Sequence, residues 1–178
     1  MSTSRNLLVR AVTLPHSLYA ILDPSQSKGR PFLSILSALL KGGASVIQLR
    51  AKGIPSREFF QLAVETRRQT SAAGCLFIVN DRLDIALSTG ADGVHLGQGD
   101  LPLAVARRLM GEKGIGISTH DLDQVKEAER EGADYIGFGP IFGTATKHTG
   151  YPPRGLPMLK KIRKATNLPI VAIGGISE

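Results

Sequence analysis

Apolar residues along this chain gather into short strand-like runs, each followed at once by a small cluster of polar, charged or glycine residues. The first run covers 18–22, and six more begin near Ser45, Leu76, Gly93, Ile115, Asp134 and Pro169. Between them the pattern lengthens to helical periodicity over 31–41, 56–73, 82–88, 103–110, 122–130 and 156–165. Strands that alternate with helices run parallel, and the pattern predicts an α/β chain of the (β/α)8 TIM-barrel class. In such a barrel the post-strand clusters converge on one face, where the active site sits, while side chains inside the barrel pack. The triplets Gly43-Ala44-Ser45, Gly90-Ala91-Asp92 and Gly132-Ala133-Asp134 are expected to end helices in the left-handed conformation and to introduce the second, fourth and sixth strands. Ser56 is expected to cap the second helix, and Asp100 with Pro102 to open the fourth.

The sequence reaches Ile176-Ser177-Glu178 just after the seventh strand. A complete barrel of this class runs to ~250 residues. The expectation is therefore a single barrel domain over residues 1–178 with seven strands visible and the eighth βα unit missing at the C-terminus.

Composition narrows the function classes. No apolar run is long enough to span a bilayer, and the N-terminal residues lack a secretory apolar stretch, so no membrane association and a cytoplasmic location are expected. The one cysteine, Cys75, precedes a strand and reads as a buried, inert thiol. The net charge of +7 goes with 5% aromatic residues and no tryptophan, against a nucleic-acid partner. Many of the basic residues (Arg67-Arg68, Arg107-Arg108, Lys160-Lys161, Arg163-Lys164) read as solvated helix faces. Those in strand-end loops suit small anionic substrates, phosphates above all. The oligomeric state stays open, a homo-oligomer included.

The strand-end clusters carry the chemistry. Arg50 and Lys52 offer a fork and a point charge to a phosphate or diphosphate. Asp81 and Asp100, with the Asn80 amide, are what Mg²⁺ takes alongside substrate phosphates. The bland reading of both aspartates is helix capping. Lys147 with Thr144 and Thr146 adds a charge and two hydroxyls after the sixth strand, and Gly174-Gly175 allows backbone N–H groups to approach a second phosphate, or simply makes a tight turn. Ser118 is a site hydroxyl or a loop hydroxyl; His95 reads as a satisfied histidine of the barrel core, His120 as one nearer the site face. No Ser-His-Asp order, Cys/His cluster or nucleotide-binding glycine string is present.

Several ordered motifs together resemble the thiamine phosphate synthase family across 18–177: Gln48-Leu-Arg50-Ala-Lys52, Asn80-Asp81-Arg82, the segment 90–100 with His95, Gln98 and Asp100, Gly116-Ile-Ser118-Thr-His120, the segment 139–147 and Ile173-Gly-Gly-Ile176. The resemblance implies a transferase of thiamine biosynthesis that joins 4-amino-2-methyl-5-(diphosphooxymethyl)pyrimidine to a thiazole phosphate or carboxythiazole phosphate, releasing diphosphate. By it, Gln48, Arg50, Lys52, Asn80, Ser118 and Lys147 hold the pyrimidine diphosphate, with Arg50, Lys52 and Lys147 catalytic. Asp81 and Asp100 hold Mg²⁺, and Thr144, Thr146 and Gly175 hold the thiazole phosphate. The family pattern continues with a hydrophobic–Ser pair on the eighth strand, for which this sequence has no counterpart. Two alternatives are a thiazole tautomerase of the same fold and an inactive phosphate-binding remnant. The full set of Arg50, Lys52, Asp81, Asp100 and Lys147 argues against the tautomerase, which needs no diphosphate site.

Overall fold

In the computed structural model, residues 14–15, 18–144 and 150–177 are described. Strands and helices alternate as β1 (Tyr19–Leu22), α1 (Phe32–Lys41), β2 (Val46–Leu49), α2 (Ser56–Ala72), β3 (Leu76–Asn80), α3 (Leu83–Ser88) and β4 (Gly93–Leu96). The order continues with α4 (Leu103–Met110), β5 (Gly114–Thr119), α5 (Leu122–Glu131), β6 (Tyr135–Phe138), α6 (Gly155–Ala165) and β7 (Ile170–Ala172). The seven strands form one parallel sheet in sequence order. It curls far enough that Tyr19 on β1 and Tyr135 on β6 meet hydroxyl to hydroxyl at 2.8 Å. The result is a nearly closed barrel, as expected. Among the described residues, no helix is long and apolar enough to cross a membrane.

The core lies between the outer face of the strands and the helices. Phe77, Val79, Val94, Leu96, Ile115, Ile136 and Phe138 are buried there against Ala63, Ala106, Val125 and Ile162. The inner face differs from the expectation that it only packs. Tyr19, Gln48, Asn80, His95, Ser118 and Tyr135 point inward at alternate positions and line a cavity together with Ile21 and Val171, so a layer of polar groups stands inside the barrel where packing alone was expected.

The three glycine triplets behave as expected: Gly43, Gly90 and Gly132 have φ of 81°, 65° and 88°. The aspartates that end the second and third triplets add a device the sequence did not suggest. Asp92 Oδ2 accepts from the Phe77 N–H of β3 and from Arg67 Nη1 of α2, both at 2.8 Å. Asp134 Oδ2 repeats this two βα units later, accepting at 2.7 Å from the Ile115 N–H of β5 and pairing with Arg107 of α4. Arg67 and Arg107 are therefore tied to the strands, not solvated as expected, whereas Arg68, Arg108, Lys160, Lys161, Arg163 and Lys164 are exposed. Two capping expectations also fail. Pro55 and Pro102 occupy the cap positions of α2 and α4, which places Ser56 one residue inside its helix and leaves Asp100 in the preceding loop. Cys75 is buried, and burial pushes its thiol up, with the Asp92 charge adding to the effect.

Candidate active site

A cavity of about 540 Å³ opens at the carboxyl ends of the strands. Its wall is drawn from alternate strand positions, since side chains two apart share a face. Gln48 and Arg50 come from β2 and its end, Asn80 from β3, His95 from β4, Ser118 and His120 from β5 and its end. Thr144 and Gly175 complete the wall from the segments after β6 and β7. Six of the expected site residues (Gln48, Arg50, Asn80, Ser118, Thr144 and Gly175) thus share one cavity. Lys52, Asp81 and Asp100 sit outside the wall as a separate rim group. Thr146 and Lys147 lie outside the described residues.

Arg50 enters the cavity on a fixed bearing. Its Nη1 pairs with Asp23 Oδ2, and Asp23, with its side chain 6% exposed, is itself held by the Ser25 N–H at 2.9 Å and the Ser25 hydroxyl at 2.7 Å. Anchoring one edge of the guanidinium leaves the rest of the fork for a ligand and reduces the ordering cost of binding. Asp23 went unnoticed in the sequence because it follows the first strand, whose end cluster was read only as a loop.

At the rim, Lys52 Nζ lies 3.0 Å from Asp81 Oδ2. Asp100 accepts from the Gly97 N–H at 2.7 Å. Burial pushes the Asp100 carboxyl up; the Gly97 N–H and Lys52 oppose this, while the neighbouring Asp81 reinforces it. Neither aspartate caps a helix: Arg82 occupies the cap position of α3, and α4 begins beyond Pro102. Asp81 adopts φ of 61°, a left-handed conformation that Asp tolerates better than most residues. Two mutually repelling carboxylates with one ammonium between them fit a divalent cation. Mg²⁺ asks for only one or two carboxylates, completing its shell with water and phosphate oxygens. Among the described residues, no cluster of three or more His, Cys, Asp or Glu is placed to hold a metal.

The floor is a chain of hydrogen-bonded polar side chains. Gln48 Nε2 donates to Tyr19 Oη at 2.9 Å, Tyr19 meets Tyr135, Tyr135 Oη lies 3.1 Å from His95 Nδ1, and His95 Nε2 lies 3.0 Å from Ser118 Oγ. His95 is therefore satisfied inside the barrel, as expected, yet it also faces the cavity. On the wall, His120 Nδ1 donates to the Gly139 carbonyl at 2.6 Å, and its ring stacks on Tyr151 at 4.0 Å. Gln124 and Arg154 also meet Tyr151, which ties the segment after residue 149 to β5.

Gly174 and Gly175 have φ of 100° and 64°. A Cβ on Gly174 would lie 2.7 Å from Pro140, and one on Gly175 would lie 2.4 Å from the Gly143 carbonyl. Close backbone approach does explain these glycines, but the neighbour is the loop after β6.

The family model for thiamine monophosphate synthase matches residues 18–178. A thiamine-phosphate synthase of Chloroflexus aurantiacus is 48% identical over 161 residues, which are 90% of this chain and 74% of that protein. The Moorella thermoacetica thiamine-phosphate synthase is 49% identical over 161 residues, covering 90% and 77%. Among solved structures, a thiamine phosphate pyrophosphorylase from Pyrococcus furiosus superposes with a TM-score of 0.81 at 38% identity, covering 89% of this chain and 75% of that one.

Proposed function

The chain belongs to the thiamine monophosphate synthase family, a membership that makes it a transferase of thiamine biosynthesis, and we propose that it joins an aminopyrimidine diphosphate to a thiazole phosphate, with Mg²⁺ at the rim, releasing diphosphate. The relatives matched carry the synthase's name, and nothing favours a tautomerase or a phosphate-binding remnant. The observation that carries the reading is the division of the pocket: a polar wall with one anchored cation, Arg50, beside a rim where Lys52, Asp81 and Asp100 meet.

The roles follow from that division. Gln48 and Asn80 face the pyrimidine. Arg50, held by Asp23, meets the diphosphate with Ser118, Lys52 and Lys147. Thr144, Thr146 and Gly175 receive the thiazole phosphate. Asp81 and Asp100 hold Mg²⁺, which when bound neutralises charge developing on the leaving diphosphate. The carbon–oxygen bond between the pyrimidine methylene and diphosphate breaks, the bond electrons leave with the diphosphate, and the aminopyrimidine ring disperses the positive charge on the methylene. The thiazole nitrogen then forms the new carbon–nitrogen bond. No protein nucleophile is needed, so the side chains act by charge and position.

The test is to mix the purified 178-residue chain with both substrates and Mg²⁺ and follow diphosphate release and thiamine phosphate formation together. Both products are expected in equal amounts. Asp100→Ala and Lys147→Ala are expected to lower kcat by about 100-fold or more, the scale of losing one electrostatic stabiliser. Unchanged rates in both would sink the site assignment.

A further inference from the structure

The chain of hydrogen bonds across the barrel floor has four links, from Gln48 through Tyr19, Tyr135 and His95 to Ser118. The first link is fixed in sense, because an amide N–H can only donate. Taking His95 as the neutral imidazole, the three remaining links draw on four protons: those of Tyr19, Tyr135, His95 and Ser118. One proton is left over, and its location decides what the floor offers to a ligand.

A neutral imidazole must donate through one nitrogen, so the leftover proton is not on His95. Tyr135 is fully buried, and leaving its hydroxyl proton without an acceptor there would cost the desolvation of that group. Two arrangements remain. In one, Tyr19 accepts twice and turns its own proton to the cavity. In the other, every link runs head to tail: Tyr19 donates to Tyr135, Tyr135 to His95 Nδ1, and His95 Nε2–H to Ser118. Head-to-tail chains polarise one another and gain from it, and the serine hydroxyl is a better acceptor than a phenol oxygen. This arrangement turns the Ser118 proton toward the cavity, where an anion would receive it.

We propose that Tyr135 is a positioning residue of the active site: with Tyr19 it holds His95 as the Nε2–H tautomer and thereby presents the Ser118 hydroxyl to the pocket as a hydrogen-bond donor. The surrounding strands are shaped for this. A Cβ at Gly116 would fall 2.0 Å from Tyr135 Cζ, and one at Gly137 would fall 3.1 Å from His95 Cε1, so both rings occupy space cleared for them. Packing inside the barrel pushes both phenols up, which keeps them protonated at neutral pH, as the chain requires.

The inference rests on the reading that Ser118 meets the pyrimidine diphosphate, and the experiment separates the two. Nitrogen NMR of the ¹⁵N-histidine-labelled full chain resolves the tautomers of its four histidines, with His95 assigned by loss of its signals in His95→Gln. The expected result is Nε2–H in the wild type and a mixture of tautomers in Tyr135→Phe. Affinity for the pyrimidine diphosphate is expected to fall about 3- to 10-fold in both Tyr135→Phe and Ser118→Ala, the scale of one misaligned hydrogen bond. An Nδ1–H tautomer or an imidazolium in the wild type overturns the proposal, and this measurement stands even if Tyr135→Phe does not fold. Weakened binding in Ser118→Ala with an unchanged tautomer and affinity in Tyr135→Phe also overturns it. Unchanged affinity in Ser118→Ala sinks the functional reading of that residue, and the role given to its proton with it.

Discussion

Gly116 lies in the middle of β5, where glycine weakens a strand unless something needs the room. The occupant is the Tyr135 ring, buried and gripped from both sides by Tyr19 and His95. A methyl group there has nowhere to go, so Gly116→Ala is expected to cost on the order of 3 kcal/mol, the upper end of overpacking. At Gly137 the gap to His95 is wider, and Gly137→Ala is expected to cost about 1 kcal/mol. Denaturant midpoints measure both, and Gly116→Ala/Tyr135→Leu should recover much of the larger loss. Equal small shifts in the two single variants would contradict the packing. Tyr19 and Tyr135 are not legible as site residues, because a tyrosine inside an apolar run reads as core. Gln48, Arg50, Asn80 and Ser118 were visible because they are polar at strand ends. The fainter signal was His95 between Val94 and Leu96: a polar side chain inside a strand with a buried outer face has only the inward direction left.

Among the elements, every strand and α-helix was legible, with boundaries displaced by one or two residues, because parallel strands and their crossover helices differ so plainly in period; the short 3-10 turn Pro24–Gln26 falls in a stretch that reads as a loop. The two failed caps show what local signals miss. Proline before each helix takes the cap position, and no side-chain pattern distinguishes the residue before it from the residue after it. The Asp–Arg ties could not be seen either, since Arg67 and Asp92 are separated by a whole strand and helix. They make a graded prediction. Asp134 has its side chain 4% exposed, and Asp134→Ala should cost about 3 kcal/mol, as breaking a buried pair does. Asp92 is 24% exposed, and Asp92→Ala should cost about 1–2 kcal/mol. Thermal unfolding of the two variants measures the difference; a larger loss at Asp92 would refute the ranking.

For the molecule as a whole, the rim proposed to hold Mg²⁺ is internally partnered without the cation. Asp81 already has Lys52, and Asp100 already has the Gly97 N–H. Removing divalent cations with EDTA is therefore expected to abolish thiamine phosphate formation while lowering the melting temperature by no more than about 4 °C, the mass-action contribution of a weakly held cation, since neither rim carboxylate is left without a partner. A large fall in melting temperature on chelation would mean the cation is structural. The floor has a further consequence, for durability. A methylene that has lost diphosphate is a strong alkylating agent, and the imidazole of His95 is the natural casualty among the groups around it. In the tautomer proposed above, its Nδ1 lone pair accepts from the Tyr135 hydroxyl and its Nε2 carries a hydrogen rather than a lone pair. Held in this way, His95 would be shielded from alkylation by the very intermediate the proposed reaction generates beside it.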